Sequence, residues 1–406
     1  MGKKVPVGAD FPPETEWVAG KDFFDGPGKS NYHPVQAVPF FPRCPMSSNP
    51  TRREVMVKAS SAFVSTTLEM GDTHDLYAQS KPIKVGQIGV GHAHAGKLSV
   101  FRSSKDYEVV GIVEPDHILR NKAEKDSTYK GLEWMTRDQL LETPGLQLVL
   151  VETKVENLLD NAEVCVAAGM NVHLDKPAGE SLPQLNRIFE IAAKKKLLVQ
   201  MGYMYRYNPA IVLLQEFLKK GWLGEIFEVH AVMSKAVDPL DRLRFARFPG
   251  GMMFELGCHI LDLVIRILGK PNSVAPFIRS SGRFQDGLKD NMIAVLCYPK
   301  AIATLKTTAL EVDGFDRRHL VVCGTEGTFH IQPLDNPSAR VSLAKNQGKY
   351  QKGLNEIRFP GYKRYFDDAK DIAAILNCLK KPSFSPAHDL IVQETLLKAC
   401  ELPLDR

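Results

Sequence analysis

The chain has 406 residues, 44% of them hydrophobic and 24% charged, with a formal net charge of +5. That length allows two or three domains and a sizeable buried core. The charge is spread along the chain without a dense Lys/Arg stretch interleaved with aromatics, and no apolar run approaches the ~18–20 residues of a membrane span, so neither nucleic acid nor a spanning segment is expected.

Residues 1–80 read as a leader rather than a folded unit. Residues 1–50 hold nine of the 26 prolines and no sustained hydrophobic period, a composition that argues against independent packing. Thr51-Arg52-Arg53 and the weakly apolar, small-residue stretch up to Leu68 then resemble a bacterial twin-arginine export signal, with a cleavage position after Leu76-Tyr77-Ala78. Val55 stands where an aromatic is common, and Glu69 cuts the apolar stretch short. Such a signal sits at an N-terminus, so the sequence suggests translation from Met46, with 1–45 outside the natural protein and 46–78 as signal. Export would place the protein in the periplasm; without it the location is cytoplasmic. The alternative is an amphipathic helix with two incidental arginines.

From residue 81 the pattern changes. Ile83–Val90 alternates and then turns apolar, as a buried parallel strand does. It runs into Gly89-Val90-Gly91-His92-Ala93-His94 and a helix from about Ala95. Gly89 permits the tight turn, Gly91 lets backbone N–H groups approach a pyrophosphate, and His94 occupies the third fingerprint position. A second strand, Tyr107–Val113, ends in Glu114, about 20 residues past the glycines as a dinucleotide fingerprint requires. A carboxylate there accepts hydrogen bonds from ribose hydroxyls and repels a 2′-phosphate, which favours NAD over NADP. A third strand (146–151), a helix (155–168) and a fourth strand (171–174) follow. The fold expected is α/β: a doubly wound parallel Rossmann sheet over 81–206, then an α+β domain with an open, largely antiparallel sheet over 207–406. Ligands of such sheets lie at the carboxyl ends of the strands, which places His92, Ala93, Glu152, Thr153 and Asp175-Lys176-Pro177 at the cofactor.

Asp175-Lys176-Pro177 resembles the Glu-Lys-Pro motif of the glucose–fructose oxidoreductase / inositol dehydrogenase (Gfo/Idh/MocA) family, and the resemblance extends from about Lys84 to the C-terminus. Arg206-Tyr207-Asn208-Pro209 matches the family's Arg–Pro segment, and Gly250 to Asp262 matches its glycine-led helix bearing Asp-x-x-x-His-x-x-Asp. Asp290-Asn291, Gly324 to Thr328 and His388-Asp389 fall in the family's order. The resemblance implies NAD as cofactor with Arg206 among its contacts, a cis peptide before Pro177, a homo-dimer or homo-tetramer formed through the outer face of the second sheet, and a small carbohydrate as substrate. In glucose–fructose oxidoreductase an N-terminal arm wraps a neighbouring subunit, a second alternative for the proline-rich leader.

The residues carry matching chemistry. Oxidising a secondary alcohol needs a base for the hydroxyl proton and a donor that steadies the developing alkoxide. Lys176 supplies the donor and His259, with an ordinary pKa near ~6.5, the base. On a regular helix Glu255, His259 and Asp262 share one face, so Glu255 orients the base and Asp262 reaches the substrate. Glu255 is one methylene longer than the family's usual Asp. Arg244 and Arg247 precede this helix and suit a substrate carboxylate such as a uronic acid. Seven cysteines without CxxC or Cys/His spacing read as free thiols and give no metal site. The function expected is NAD-dependent oxidation of a hydroxyl on a sugar, polyol or sugar derivative. Two alternatives stay open: a glycoside hydrolase that oxidises and re-reduces its substrate with bound NAD, and a relative that binds nucleotide without turnover.

Overall fold

The computed structural model describes residues 81–405. The leader, the twin-arginine-like stretch and the Met46 start lie outside the described residues.

The first sheet has five parallel strands, β1 (Ile83–Ile88), β2 (Tyr107–Val113), β3 (Leu146–Val151), β4 (Asn171–Leu174) and β5 (Val199–Met201), in the order β2-β1-β3-β4-β5. β3 and β4 are buried on both faces, which is why Leu146–Val151 reads as a nearly continuous apolar run. Helices α1 (Leu98–Ser103), α2 (His117–Ala123), α3 (Arg137–Leu141), α4 (Leu158–Ala167) and α5 (Leu182–Lys195) connect the strands. Their starts follow capping chemistry. Asp116 accepts from the N–H groups of Ile118 and Leu119, Thr136 and Gln139 form a reciprocal capping box, and Ser181 caps α5 ahead of Pro183. The expected helix at Ala95 begins instead as a single 3-10 turn, Ala95–Lys97, before α1.

After α6 (Pro209–Lys219) the chain enters an eight-stranded mixed sheet: β6 (Ile226–Val232), β7 (Ser273–Arg279), β8 (Asn291–Cys297), β9 (Ile302–Thr308), β10 (His319–Gly324), β11 (Gly327–Ile331), β12 (Ser338–Leu343) and β13 (Gly353–Arg358). The order is β13-β12-β11-β10-β6-β9-β8-β7, antiparallel throughout except for the β6–β9 pair. Helices α7 (Pro239–Phe245), α8 (Cys258–Leu268), α9 (Phe366–Leu376) and α10 (Pro386–Ala399) complete the chain. Alternating burial along β8 and β12 shows one face packed on helices and one open. The packed face takes α8, whose residues Cys258–Ile265 are all buried, His259 and Asp262 among them.

One cluster joins the two sheets: Leu174, Tyr203 and Leu214 pack with Phe254, Leu261, Leu305 and Leu396. A second lies under β1–β3 and is closed by α9, which returns to the first sheet near the chain's end through Ala369, Ile372 and Leu376. Burying a Leu or Ile side chain contributes ~1.5–3 kcal/mol, so α9 adds several such units to the nucleotide domain. Cys165, Cys258, Cys297, Cys323 and Cys400 are free thiols, as expected.

Candidate active site

The carboxyl ends of β1, β3 and β4 meet α8 in one buried cluster. Gly89 adopts φ +91°, and a Cβ there would fall 2.5 Å from the Thr153 backbone, so the turn after β1 closes onto the turn after β3 only with glycine. Gly91 is similarly close to Lys154, its added Cβ falling 3.0 Å from Cγ. His92 N–H binds the Glu152 carbonyl at 3.0 Å and locks the two turns together. Glu114, at the end of β2, accepts from Val90 N–H at 2.9 Å and from Asp116 N–H at 3.0 Å. Each carboxylate oxygen keeps a second lone pair for ribose hydroxyls. Glu114 borders a cleft of about 670 Å³ lined also by Asp116, Arg120, Thr136, Thr153 and Asn157. Gly91, His92 and Ala93 border the next cleft, about 550 Å³, whose far wall carries Arg244 and Arg247. These residues suit a dinucleotide: a backbone cradle that side chains would fill, an acid at the ribose position, and two clefts on either side of the turn.

Beyond the turn the cluster is charged and almost sealed. The Lys176–Pro177 peptide is cis, as the resemblance implied. Lys176 is 1% exposed, and its ammonium donates to the Glu255 carbonyl at 3.0 Å with the Glu255 carboxylate at 3.7 Å. Burial alone would lower this lysine, but Glu255 and further negative groups outweigh it and hold the ammonium above its ordinary value. His92 donates through Nε2 to the Lys176 carbonyl at 3.0 Å. Asp175 sits 3.1 Å from His94 Nδ1 and accepts from Lys97 at 2.7 Å. Burial would raise Asp175, but His92 and Lys97 hold it well below the usual carboxylate range. Its neighbour Glu152 goes the other way, pushed up by burial and by the Asp175 charge. His94, buried, falls to about 3.

His259 lies across from this cluster with its ring 5.9 Å from His94, 5.2 Å from Tyr205 and 6.2 Å from Tyr203. Burial, with Lys176 beside it, lowers its pKa well below 6.5, and its Nδ1 is buried without a hydrogen-bond partner. A neutral imidazole with a free lone pair beside an ammonium can accept a hydroxyl proton while the ammonium steadies the oxygen. The basic form then persists as pH falls below 6.5. We expect the acid limb of kcat/KM for alcohol oxidation to lie below pH 6.5 and to vanish from the residual rate of His259→Asn. An acid limb above pH 6.5 that survives in His259→Asn would assign it to another group.

Met253–Gly257 forms a π-turn ahead of α8, and of the three side chains expected on one face, Asp262 goes to different partners from Glu255 and His259. Glu255 turns to Lys176, and Asp262 turns away to accept from Arg206 at 2.6 Å and to meet His388 at 2.9 Å. Asp262 is fully buried between these partners. Arg206 is 2% exposed, paired with Asp262 and Asp389, and stacked on Phe384 at 3.9 Å. An arginine carrying two buried carboxylates is committed to them. Arg244 and Arg247 face the glycine turn across the second cleft, and His259 is not among the residues bordering it.

Lys97 was not found from the sequence. It is 2% exposed and contacts Asp175, Glu152 (3.0 Å) and His173 (3.1 Å). A lysine between Gly96 and Leu98 reads as a surface residue, and the only local signal was its place one turn after His94. Tyr365 was also missed; its ring lies 5.8 Å from His94 and it holds φ +71°, an uncommon conformation for a bulky residue.

A parallel sheet with this glycine turn, acid and buried Lys–His pair defines the class of dinucleotide-dependent oxidoreductases. Residues 83–203 match the family described as "Oxidoreductase family, NAD-binding Rossmann fold" and residues 211–330 match "GFO/IDH/MocA C-terminal domain". The chain belongs to the Gfo/Idh/MocA family of oxidoreductases. It is 29% identical to the Escherichia coli protein "Uncharacterized oxidoreductase YhhX" over 223 residues, 54% of this chain and 64% of that one, so the match spans under two thirds of that relative. It is 24% identical to the Thermotoga maritima myo-inositol 2-dehydrogenase over 279 residues, 66% of this chain and 79% of the relative. Among solved structures, an Agrobacterium radiobacter oxidoreductase in complex with NAD+, L-tartaric acid and magnesium has the same fold, with a TM-score of 0.67 at 16% identity, over 78% of this chain and 96% of that one.

Proposed function

We propose that this protein is an NAD-dependent dehydrogenase of a secondary hydroxyl on a sugar, polyol or sugar derivative. The observation that carries the reading is the buried Lys176 ammonium facing Glu255, with the neutral His259 imidazole, its Nδ1 unpartnered, in the same buried cluster as His92 and His94 of the glycine turn. The backbone N–H groups of Gly91 and Ala93, which have no acceptor among the described residues, hold the diphosphate, and Glu114 favours unphosphorylated ribose, hence NAD over NADP. NAD, when bound, supplies the hydride acceptor. Lys176 donates to the substrate oxygen, with Glu255 fixing the ammonium in place. His259 takes the hydroxyl proton on its free nitrogen, and Tyr205 supports the imidazole edge-on while its own hydroxyl is tied to Asp335 at 2.7 Å. The near absence of solvent around Lys176 strengthens each of these interactions.

The likeness to a myo-inositol 2-dehydrogenase supports a polyol or sugar as the substrate class. The test is NADH formation from NAD across a panel of sugars, polyols and sugar acids. Stereospecific turnover of one class, lost in His259→Asn, is the expected result. Release of aglycone from aryl glycosides with no net NADH would replace this reading with redox-assisted hydrolysis. NADH binding without turnover of any substrate would leave a nucleotide-binding relative.

A further inference from the structure

We infer that Arg244 and Arg247 close on the diphosphate of the bound dinucleotide from the side opposite the glycine turn, and so set how slowly it leaves. The inference rests on the proposal that a dinucleotide occupies this cleft. It replaces the sequence expectation that these arginines read a substrate carboxylate.

The segment that carries them belongs to the second domain and is anchored on its inward side. Asp238 caps α7 by accepting from the N–H groups of Leu240 and Asp241. Arg242 is fully buried, bonded to Asp286 at 2.5 and 3.1 Å and to Asp290 at 3.0 Å, and stacked on Phe284 at 4.1 Å. Phe245 is buried, its ring 6.4 Å from Phe248, which in turn lies 6.3 Å from Phe254. With 242 and 245 turned into the domain, helical geometry turns 244 outward, and Arg247, in the turn that follows α7, is exposed. They border the cleft of about 550 Å³ whose other wall is the Val90–Ala93 backbone.

Neither arginine is committed elsewhere by a strong partner. Arg244 is about half exposed and pairs only with its helix neighbour Asp241, at 3.3 Å, an arrangement of little energetic weight. Arg247 forms no ion pair among the described residues. The contrast with Arg242 is direct: that guanidinium is sealed and held by two carboxylates, whereas Arg244 has one weak ion-pair partner, Arg247 has none among the described residues, and both border a cleft. Lys122 and Lys154 border the same space, against the carboxylates of Asp126, Glu156 and Glu255. Of these, Glu255 is turned to Lys176, and Asp126 accepts from Thr128 N–H at 2.8 Å. A diphosphate is the part of the cofactor that combines two negative charges with acceptor oxygens on both sides. Backbone N–H groups serve one side, and planar guanidinium groups matching phosphate geometry serve the other.

The experiment measures nucleotide affinity and release rather than turnover. NADH and ADP-ribose, which keeps the diphosphate and lacks the nicotinamide, are titrated against the wild-type protein, Arg244→Ala/Arg247→Ala and Arg244→Lys/Arg247→Lys. NADH release is followed by displacement, and thermal melting of the ligand-free proteins checks folding. We expect both ligands to bind the alanine variant about 10- to 100-fold more weakly, with faster NADH release and a flatter salt dependence. The lysine variant should fall between, since it keeps charge but loses the bidentate geometry. Unchanged affinities in the alanine variant, with or without a rise in KM for acidic substrates, would overturn the inference while leaving the proposed function standing. Failure of the wild-type protein to bind NADH or ADP-ribose would overturn both.

Discussion

Changing Lys176 to methionine is expected to leave NADH binding within a few-fold of wild type and to slow turnover by about 10³-fold or more. Methionine keeps an unbranched apolar stem, one atom shorter than lysine, in the same buried space, so the loss isolates the ammonium. In the folded protein that ammonium is fixed by the Glu255 carbonyl at 3.0 Å and held charged by the surrounding acids. A donor immobilised before substrate arrives costs no reorganisation when the alkoxide develops, which is why its removal falls on the chemical step and not on cofactor binding. Steady-state kinetics beside an NADH titration makes the distinction. A drop in kcat below tenfold would mean that Lys176 serves only to complete the buried charge cluster. Equal losses in NADH affinity and kcat/KM would place its role in binding.

The second large effect is on stability. Arg206→Met is expected to destabilise the protein by about 3–5 kcal/mol at neutral pH, because it strands two carboxylates where water does not reach. Burial raises Asp262, but Arg206 and His388 together bring it down to about 2, so its charge in the fold depends on those partners. Asp389 is raised by burial and is moderated chiefly by the same guanidinium. A loss of that size is a large part of the ~5–15 kcal/mol that holds a domain folded. The triple change Arg206→Met, Asp262→Leu, Asp389→Leu should recover much of it, since replacing a whole buried ion cluster by apolar groups of similar volume is often neutral. Thermal or urea unfolding of the two variants gives the answer. A cost under about 1 kcal/mol for the single change would show that His388 and other groups satisfy the acids without Arg206.

The parts of this architecture that were legible in the sequence are those encoded within a few residues. Ile83–Val90 followed by Gly89-x-Gly91, Tyr107–Val113 ending in Glu114, and Asn171–Leu174 leading to Asp175-Lys176-Pro177 each carry their own strand period and turn chemistry, and the structure has strands at all three. The late strands β11 to β13 were not read, because Gly327–Ile331 and Gly353–Arg358 mix polar and apolar residues on the open side of a sheet, where burial leaves a weak pattern. The site residues whose surroundings were not legible depend on partners far along the chain. Arg206 meets Asp262 across 56 positions and Asp389 across 183. Lys97 meets Asp175 across 78. Nothing near Arg206 distinguishes an arginine that binds a phosphate from one that neutralises two buried acids. The helix at Glu255–Asp262 was misread for a different reason: a period of 3.6 was assumed through a stretch that contains a wider turn.

That wider turn at Met253–Gly257 makes spacing, more than side-chain identity, the quantity this stretch must keep. It acts as an offset between two segments that are each in phase with a different neighbour, one presenting the Glu255 carbonyl to Lys176 and the other directing His259 into the cluster and Asp262 toward Arg206. Removing a single residue would convert it to ordinary helix and rotate everything on one side by about 100° relative to the other. Either the lysine would lose its carbonyl or the imidazole and the buried acid would leave their stations together. Exchange of one apolar residue for another is therefore a small event here, and a change in length is a large one.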